Sequence, residues 1–162
     1  MQVRSAKPDD AIDVAYIYNY YIATSHATFE IEPVDEAEMV RRLEDCWYAG
    51  YPFLVCEDGG EIVGYAYGQR YKSRPAYMHS MEVSVYVRPG HTEASIGSTL
   101  YEALFEEIRK GDFHAVIAGI SLPNDASIKL HEKFGFEKVA HFREVGRKFD
   151  RWIDVGYWEL IL

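Results

Sequence analysis

Basic residues are in short supply: 17 Lys and Arg stand against 26 Asp and Glu, a net charge of −9. Nucleic-acid phosphates and anionic membranes both require clustered positive charge, so no general affinity for either is expected. An anionic cofactor would need a local exception. Cysteine is scarcer still. Cys46 and Cys56 form neither a metal-ligand spacing nor a disulfide framework, which predicts free thiols in a reducing compartment, the cytoplasm. Long apolar runs are missing as well. Met1-Gln2-Val3-Arg4 leads directly to Lys7-Pro8-Asp9-Asp10, without the stretch that a signal peptide or membrane span needs. His79, His91, His114 and His141 show no mutual spacing suggestive of a metal site, and no metal is expected.

What the chain does have is apolar material, 48% of 162 residues, enough for one compact domain over residues 1–162 with no linker or repeat dividing it. Gln2 to Ala6 predicts a short strand. Pro8-Asp9-Asp10 then starts a helix carrying Ile12, Ala15, Tyr16, Asn19 and Ile22 at helical spacing. A second helix begins at Asp35 with Glu38 three residues on, a capping-box pattern. Met39, Leu43, Cys46 and Trp47 share one face of it, and Gly50 stops it. The stripe of Met39, Leu43 and Trp47 reads as core. Phe53 to Cys56 and Ile62 to Tyr67 form a hairpin through Asp58-Gly59-Gly60. A strand from Tyr77 to Val87 feeds a polar loop and a helix over Ile96 to Lys110. His114 to Ile120 is an apolar strand, followed by a helix from Pro123-Asn124-Asp125 to Gly135. Two last strands lie around Glu137 to Val145 and Ile153 to Ile161. The order predicts an α/β (α+β) fold, a mixed sheet with helices on both faces.

Five motifs recur in this order: Arg74-Pro75-Ala76-Tyr77, Glu82-Val83-Ser84-Val85-Tyr86-Val87, Gly97-Ser98-Thr99-Leu100-Tyr101, Leu122-Pro123-Asn124-Asp125 and Leu130-His131-Glu132. With Ala27-Thr28-Phe29, Gly50-Tyr51-Pro52, Gly146-Arg147-Lys148-Phe149 and Trp152-Ile153-Asp154, the chain resembles the GNAT superfamily of N-acetyltransferases over nearly its whole length. Within it the likeness is to the phosphinothricin and methionine sulfoximine acetyltransferase branch. The resemblance implies a mostly antiparallel central sheet, splayed in the middle. The opening would receive the pantetheine arm of acetyl-CoA against the backbone of Val85, Tyr86 and Val87, like an added strand. It also implies a homodimer and direct transfer of acetyl to the amine of a small amino-acid-like molecule.

Residues Glu93, Ala94, Ser95, Ile96, Gly97 and Ser98 occupy the place of the family's pyrophosphate loop, and a helix N-terminus suits phosphate. The family pattern is a basic residue or Gln, two intervening residues, Gly, any residue, then Gly or Ala. It reads here Thr92, Glu93, Ala94, Ser95, Ile96 and Gly97, so only the last glycine is kept. Ser95 either caps the helix or donates its hydroxyl to phosphate. Asn124, with Ser127, matches a second cofactor contact, and a helix N-cap is the other reading of Asn124.

Acetyl transfer needs a neutral amine, hence a base. The resemblance places Glu82 in that role, where burial would raise its pKa; pairing with an arginine or facing solvent is the alternative. His131, about two helical turns after Asn124, either assists Glu82 and the proton transfer or is structural. For the acceptor, Lys72, Ser73, Arg74 and Tyr77 precede the strand that carries Glu82, Val83 and Ser84, and cations there would hold a carboxylate or phosphinate. Phe29 supplies an apolar wall or simple packing. Two rival functions remain: transfer to another amine, such as a polyamine or protein N-terminus, and a noncatalytic acyl-CoA-binding or partner-binding protein of the same fold.

Overall fold

The structure is a computed structural model that describes residues 1–91 and 95–162. Seven strands form one sheet in the order β1-β2-β3-β4-β5-β7-β6. They are β1 (Gln2–Ser5), β2 (Phe53–Asp58), β3 (Glu61–Arg70), β4 (Ser80–Val87), β5 (Ala115–Ser121), β6 (Glu137–Lys148) and β7 (Arg151–Ile161). Four helices accompany them: α1 (Ala11–Thr24), α2 (Glu36–Tyr48), α3 (Ile96–Ile108) and α4 (Asp125–Lys133).

Local chemistry explains most boundaries. The Asp35 side chain accepts the Glu38 amide and caps α2. The reciprocal half of the expected capping box is replaced, because the Glu38 carboxylate goes to Arg41 and Arg42. Gly59 and Gly60, at φ 60° and 87°, turn the β2–β3 hairpin. The stretch before β4 is corrected by the structure: Pro75–Tyr77 is a 3-10 turn and the strand begins at Ser80. The face of α1 is corrected too. Ala15 and Ile22 are buried as members of the expected set, but with Ala11, Val14, Ile17 and Tyr18, whereas Ile12 and Tyr16 point to solvent, because the docking stripe is turned toward Val14 and Ile17.

Strand alternation splits the core in two. Leu54, Cys56, Val63, Ala66, Met81 and Val83 pack under α3 with Leu100, Leu104 and Phe105. Phe53, Val55, Ile62 and Tyr65 face the other way, onto Val14, Ile17 and Ile22 of α1 and Leu43 of α2. Six strand neighbours make five antiparallel pairs and one parallel pair, β4 with β5. That parallel ladder holds only at Ser80↔Ala115, Met81↔Val116 and Glu82↔Ile117. Beyond it the two strands diverge, and the sheet is splayed from Val83 onward.

Candidate functional site

The splay frees two strand edges, and hydrogen-bond phase says which residues lie on them. In an antiparallel ladder alternate residues bond to the same neighbour. The Arg88 amide bonds the Val63 carbonyl, directly opposite, so Tyr86, two residues back, also turns its amide and carbonyl to β3. Val85 and Val87 therefore face the opening. Tyr86, expected to pair there through its backbone, lines the opening without an available amide or carbonyl. On the far side, the amide of Leu122, just past β5, bonds the Asp154 carbonyl of β7, so Gly119 and Ser121 face the opening from β5. The Val87 carbonyl already accepts the Tyr21 hydroxyl at 2.7 Å.

Between these edges lies a cavity of about 370 Å³, lined by Val83 to Val87, Ser95 to Ser98, Gly119 to Ser121, Asn124, Ser127 and His131. It gathers all the described residues expected to hold a cofactor. Glu93 and Ala94, with Thr92, lie outside the described residues. A larger cavity of about 470 Å³ sits under α2 among Tyr18, Cys46, Tyr65, Tyr67 and Gln69, the cross-strand neighbour of Glu82, while Glu82 itself lines neither cavity. Size alone does not locate the chemistry.

At one end of the opening α3 begins. Ser95 has φ 31°, ψ 11°, the left-handed region, and its side chain makes no cap bond. The conformation is the one glycine adopts without cost, and the family pattern has glycine at this position. Gly97 comes close to α4, since a Cβ there would meet Leu130 at 3.3 Å. Asn124 caps α4, its side-chain oxygen accepting the Ser127 amide at 3.2 Å, while still lining the opening. Both readings of Asn124 are thus compatible.

Glu82 sits where the parallel ladder stops, half-buried, directly across from Gln69. Burial raises its pKa above the usual carboxylate value, with the Gln69 amide pulling the other way. No arginine pairs with it among the described residues. On the same sheet face are Ser84 and, from β5 and β7, Gly119 and Tyr157. A Cβ on Gly119 would lie 3.2 Å from the Tyr157 ring, so the bare backbone there makes room for that ring. Burial, then the Glu82 charge, raises the Tyr157 pKa.

His131 is 4% exposed. Nδ1 donates to the Ser127 carbonyl at 2.7 Å, which leaves Nε2 to accept the Tyr101 hydroxyl at 2.8 Å. Burial lowers its pKa, so the ring is held neutral. Its bonds go to Tyr101 and Ser127, not to Glu82.

The other residues expected to hold the acceptor come from two places. Lys72 lies over the rings of Tyr71 and Tyr77, at 5.1 and 5.3 Å, and Ser73 and Arg74 are exposed. Phe29 packs on the Gly146 backbone of β6 rather than between helices, and a Cβ at Gly146 would overlap its ring. The segment around it is tied down repeatedly. His26 Nδ1 meets Ser121 Oγ at 3.0 Å, Tyr18 bonds Thr28 at 2.8 Å, and Lys148 Nζ donates to the carbonyls of Ser25 and Thr28. Tyr21, His26, Tyr101, Gly119, Ser121 and Tyr157 went unassigned in the sequence. Tyr101 stands inside a quoted motif; the others carry no local signal.

The arrangement can accept an extended, amide-bearing chain between two free strand edges, beside a carboxylate suited to taking a proton. Comparison with known proteins agrees. The profile of the acetyltransferase (GNAT) domain matches residues 3–156. A phosphinothricin N-acetyltransferase of Streptomyces coelicolor is 40% identical over 98% of this chain and 95% of its own length. An L-methionine sulfoximine/L-methionine sulfone acetyltransferase of Salmonella typhimurium is 35% identical, over 100% of this chain and 95% of that protein. Among solved structures, a GNAT superfamily phosphinothricin acetyltransferase from Sinorhizobium meliloti, in complex with AcCoA, superposes with TM-score 0.96 at 32% identity, covering 99% of this chain and 88% of that one. Splayed sheet, free edges, profile and relatives converge: the chain belongs to the GNAT family of N-acetyltransferases.

Proposed function

We propose that this chain, acting as a single catalytic domain, transfers acetyl from acetyl-CoA to the amine of a compact amino-acid-like molecule of the phosphinothricin, methionine sulfoximine or methionine sulfone type. The observation that carries the reading is Glu82 at the apex of the splay, where the cofactor opening and the acceptor face meet. The opening fits the donor: Val85, Val87, Gly119 and Ser121 offer backbone groups to the amides of a pantetheine arm, and the first turn of α3 offers amide hydrogens to phosphate. The thioester supplies the activated acyl group.

Glu82, with its raised pKa, takes the proton of the ammonium directly or through water; the neutral amine attacks the acetyl carbonyl, the C–S bond breaks, and the coenzyme A thiolate leaves with the proton that the acylated nitrogen gives up. No acyl-enzyme is required. Lys72 and Arg74, with Tyr77, hold the acceptor's carboxylate or phosphinate, while Phe29, fixed on Gly146, walls the site. Ser84 and the Val83 backbone lie beside Glu82 on β4 and complete the floor. Of the two readings of His131, its bonds to Ser127 and Tyr101 support the structural one: both nitrogens are engaged and the ring fixes α4 against α3.

The working form is proposed to be a homodimer in the cytoplasm. Val139, Phe142, Val145, Phe149 and Trp152 are all more than half exposed on β6, β7 and their turn, an apolar surface of the kind that marks an interface. Cys46 and Cys56 are free thiols, and no helix among the described residues is long and apolar enough to cross a membrane.

A steady-state screen with acetyl-CoA and these amines, following thiol release, tests the proposal. Acceleration by at least one of them is expected. Release that no amine accelerates would sink it, and acceleration by polyamines or peptides alone would reassign the acceptor.

A further inference from the structure

A protein of net charge −9 that grips a phosphorylated donor needs a cation at the phosphate end, and the family's position for one is occupied here by Thr92. The cations near the opening are unequally committed. Arg88, following β4, donates to the Ile62 carbonyl, pairs with Asp13 and Glu61, and lies 4.7 Å over the Tyr16 ring. Its work is to hold α1 and β3 to the end of β4. Lys133 differs. It stands in the last turn of α4, exposed, and its Nζ donates to Ser98 Oγ at 3.0 Å. Ser98 belongs to the first turn of α3 and lines the opening.

That contact brings an ammonium from one helix to the N-terminus of another, where among the described residues it meets the neutral Ser98 hydroxyl and lies 5.8 Å over the Phe134 ring. An ammonium has three donors, and the Ser98 hydroxyl takes one of them. The α4 wall of the opening runs from Asn124 to His131, and Lys133, two residues further along α4, borders it through its contact with Ser98. We propose that Lys133 is the cationic contact for the phosphate end of the donor, reaching across from α4 to take the part of the missing basic residue of the loop. The inference rests on the acetyl-CoA reading above. The charge comes from the far end of α4, nine residues beyond the second motif contact at Asn124, where spacing from the loop could not reveal it.

Calorimetric titration of the full chain with coenzyme A and with dephospho-coenzyme A, neither of which can react, tests this. Lys133→Met keeps the stem and removes the charge; it should weaken coenzyme A binding about tenfold, the size of one charge-assisted hydrogen bond. Lys133→Arg should restore most of it. Wild-type affinity should fall as salt is raised, and that of the Met variant less steeply. A loss seen with coenzyme A and absent with dephospho-coenzyme A assigns the contact to the 3′-phosphate; a loss seen with both assigns it to the pyrophosphate. Unchanged affinity in the Met variant, or an Arg variant as weak as Met, overturns the role of Lys133 and leaves the acetyl-CoA reading standing. A wild type that binds no coenzyme A at millimolar concentration overturns both.

Discussion

Around Glu82 the sheet face is crowded with side chains that hold one another, whereas at the first turn of α3 the protein offers mainly backbone. On the first side, Phe29 lies on Gly146, Tyr157 crosses Gly119, Thr28 and Ser121 are bonded to Tyr18 and His26, and Lys148 anchors the segment above. On the second, Ser95 takes a left-handed conformation without capping the helix, and a single lysine reaches in from α4. The difference follows from the task. A small acceptor is recognised by a shape that must be held rigid, because a misplaced amine misses the carbonyl. A long donor with several phosphates is held by many modest contacts, so each can be altered at small cost.

The contrast can be broken at Glu82 first. Glu82→Gln should lower kcat/KM for the amine by about 10²- to 10⁴-fold, the usual worth of a general base, with little change in coenzyme A affinity. Its pH profile sharpens the point. Burial raises the Glu82 pKa, so wild-type activity falls as pH drops through that raised value, and the Gln variant should lose this acid limb. A variant that keeps the limb would remove Glu82 from the base role.

His131→Ala comes next, read as stability. It empties space among Tyr101 and Phe136 and strands the Tyr101 hydroxyl, for about 2–4 kcal/mol by urea unfolding. The same ring gives a pH signature. Its pKa is depressed in the folded protein, so its contribution is full above the ordinary histidine value of about 6.5 and is lost as pH falls below it. Acid sensitivity in that window should shrink in the variant. Gly146→Ala should cost about 1–3 kcal/mol, since its methyl overlaps Phe29, and the acceptor's KM should rise while that of acetyl-CoA holds. Smallest is Ser95→Gly, which relieves the left-handed residue. A gain of up to about 1 kcal/mol in stability, with unchanged or tighter coenzyme A binding, would show that the phosphate end tolerates change where the acceptor end does not.

Legibility in the sequence divided along similar lines. Asp35, Asp58-Gly59-Gly60 and Gly135 announce boundaries through their own chemistry, and the structure places a cap, a turn and a helix stop there. The β6–β7 turn gives no such notice. Phe149 and Asp150 take φ 51° and 57° without a glycine, so β6 runs on to Lys148 and β7 starts at Arg151, three and two residues beyond the expected ends. In α1 nearly every face is apolar, and spacing alone joined the buried Ala15 and Ile22 to the exposed Ile12 and Tyr16. Of the site, Glu82 and Asn124 were carried by motifs. His26 and Ser121, 95 residues apart, meet only once the fold is made.

Three register pairs between β4 and β5, with the His114 and Ala115 amides on the His79 carbonyl, join the left and right halves of this sheet by backbone among the described residues. A bound molecule lying along Val85 and Gly119 would therefore serve as a missing strand, and its hydrogen bonds would count toward the cooperativity of unfolding. The melting temperature should then climb with ligand concentration. Hydrogen exchange should slow at those inner amides first, which makes the seam between the halves a label-free meter of occupancy.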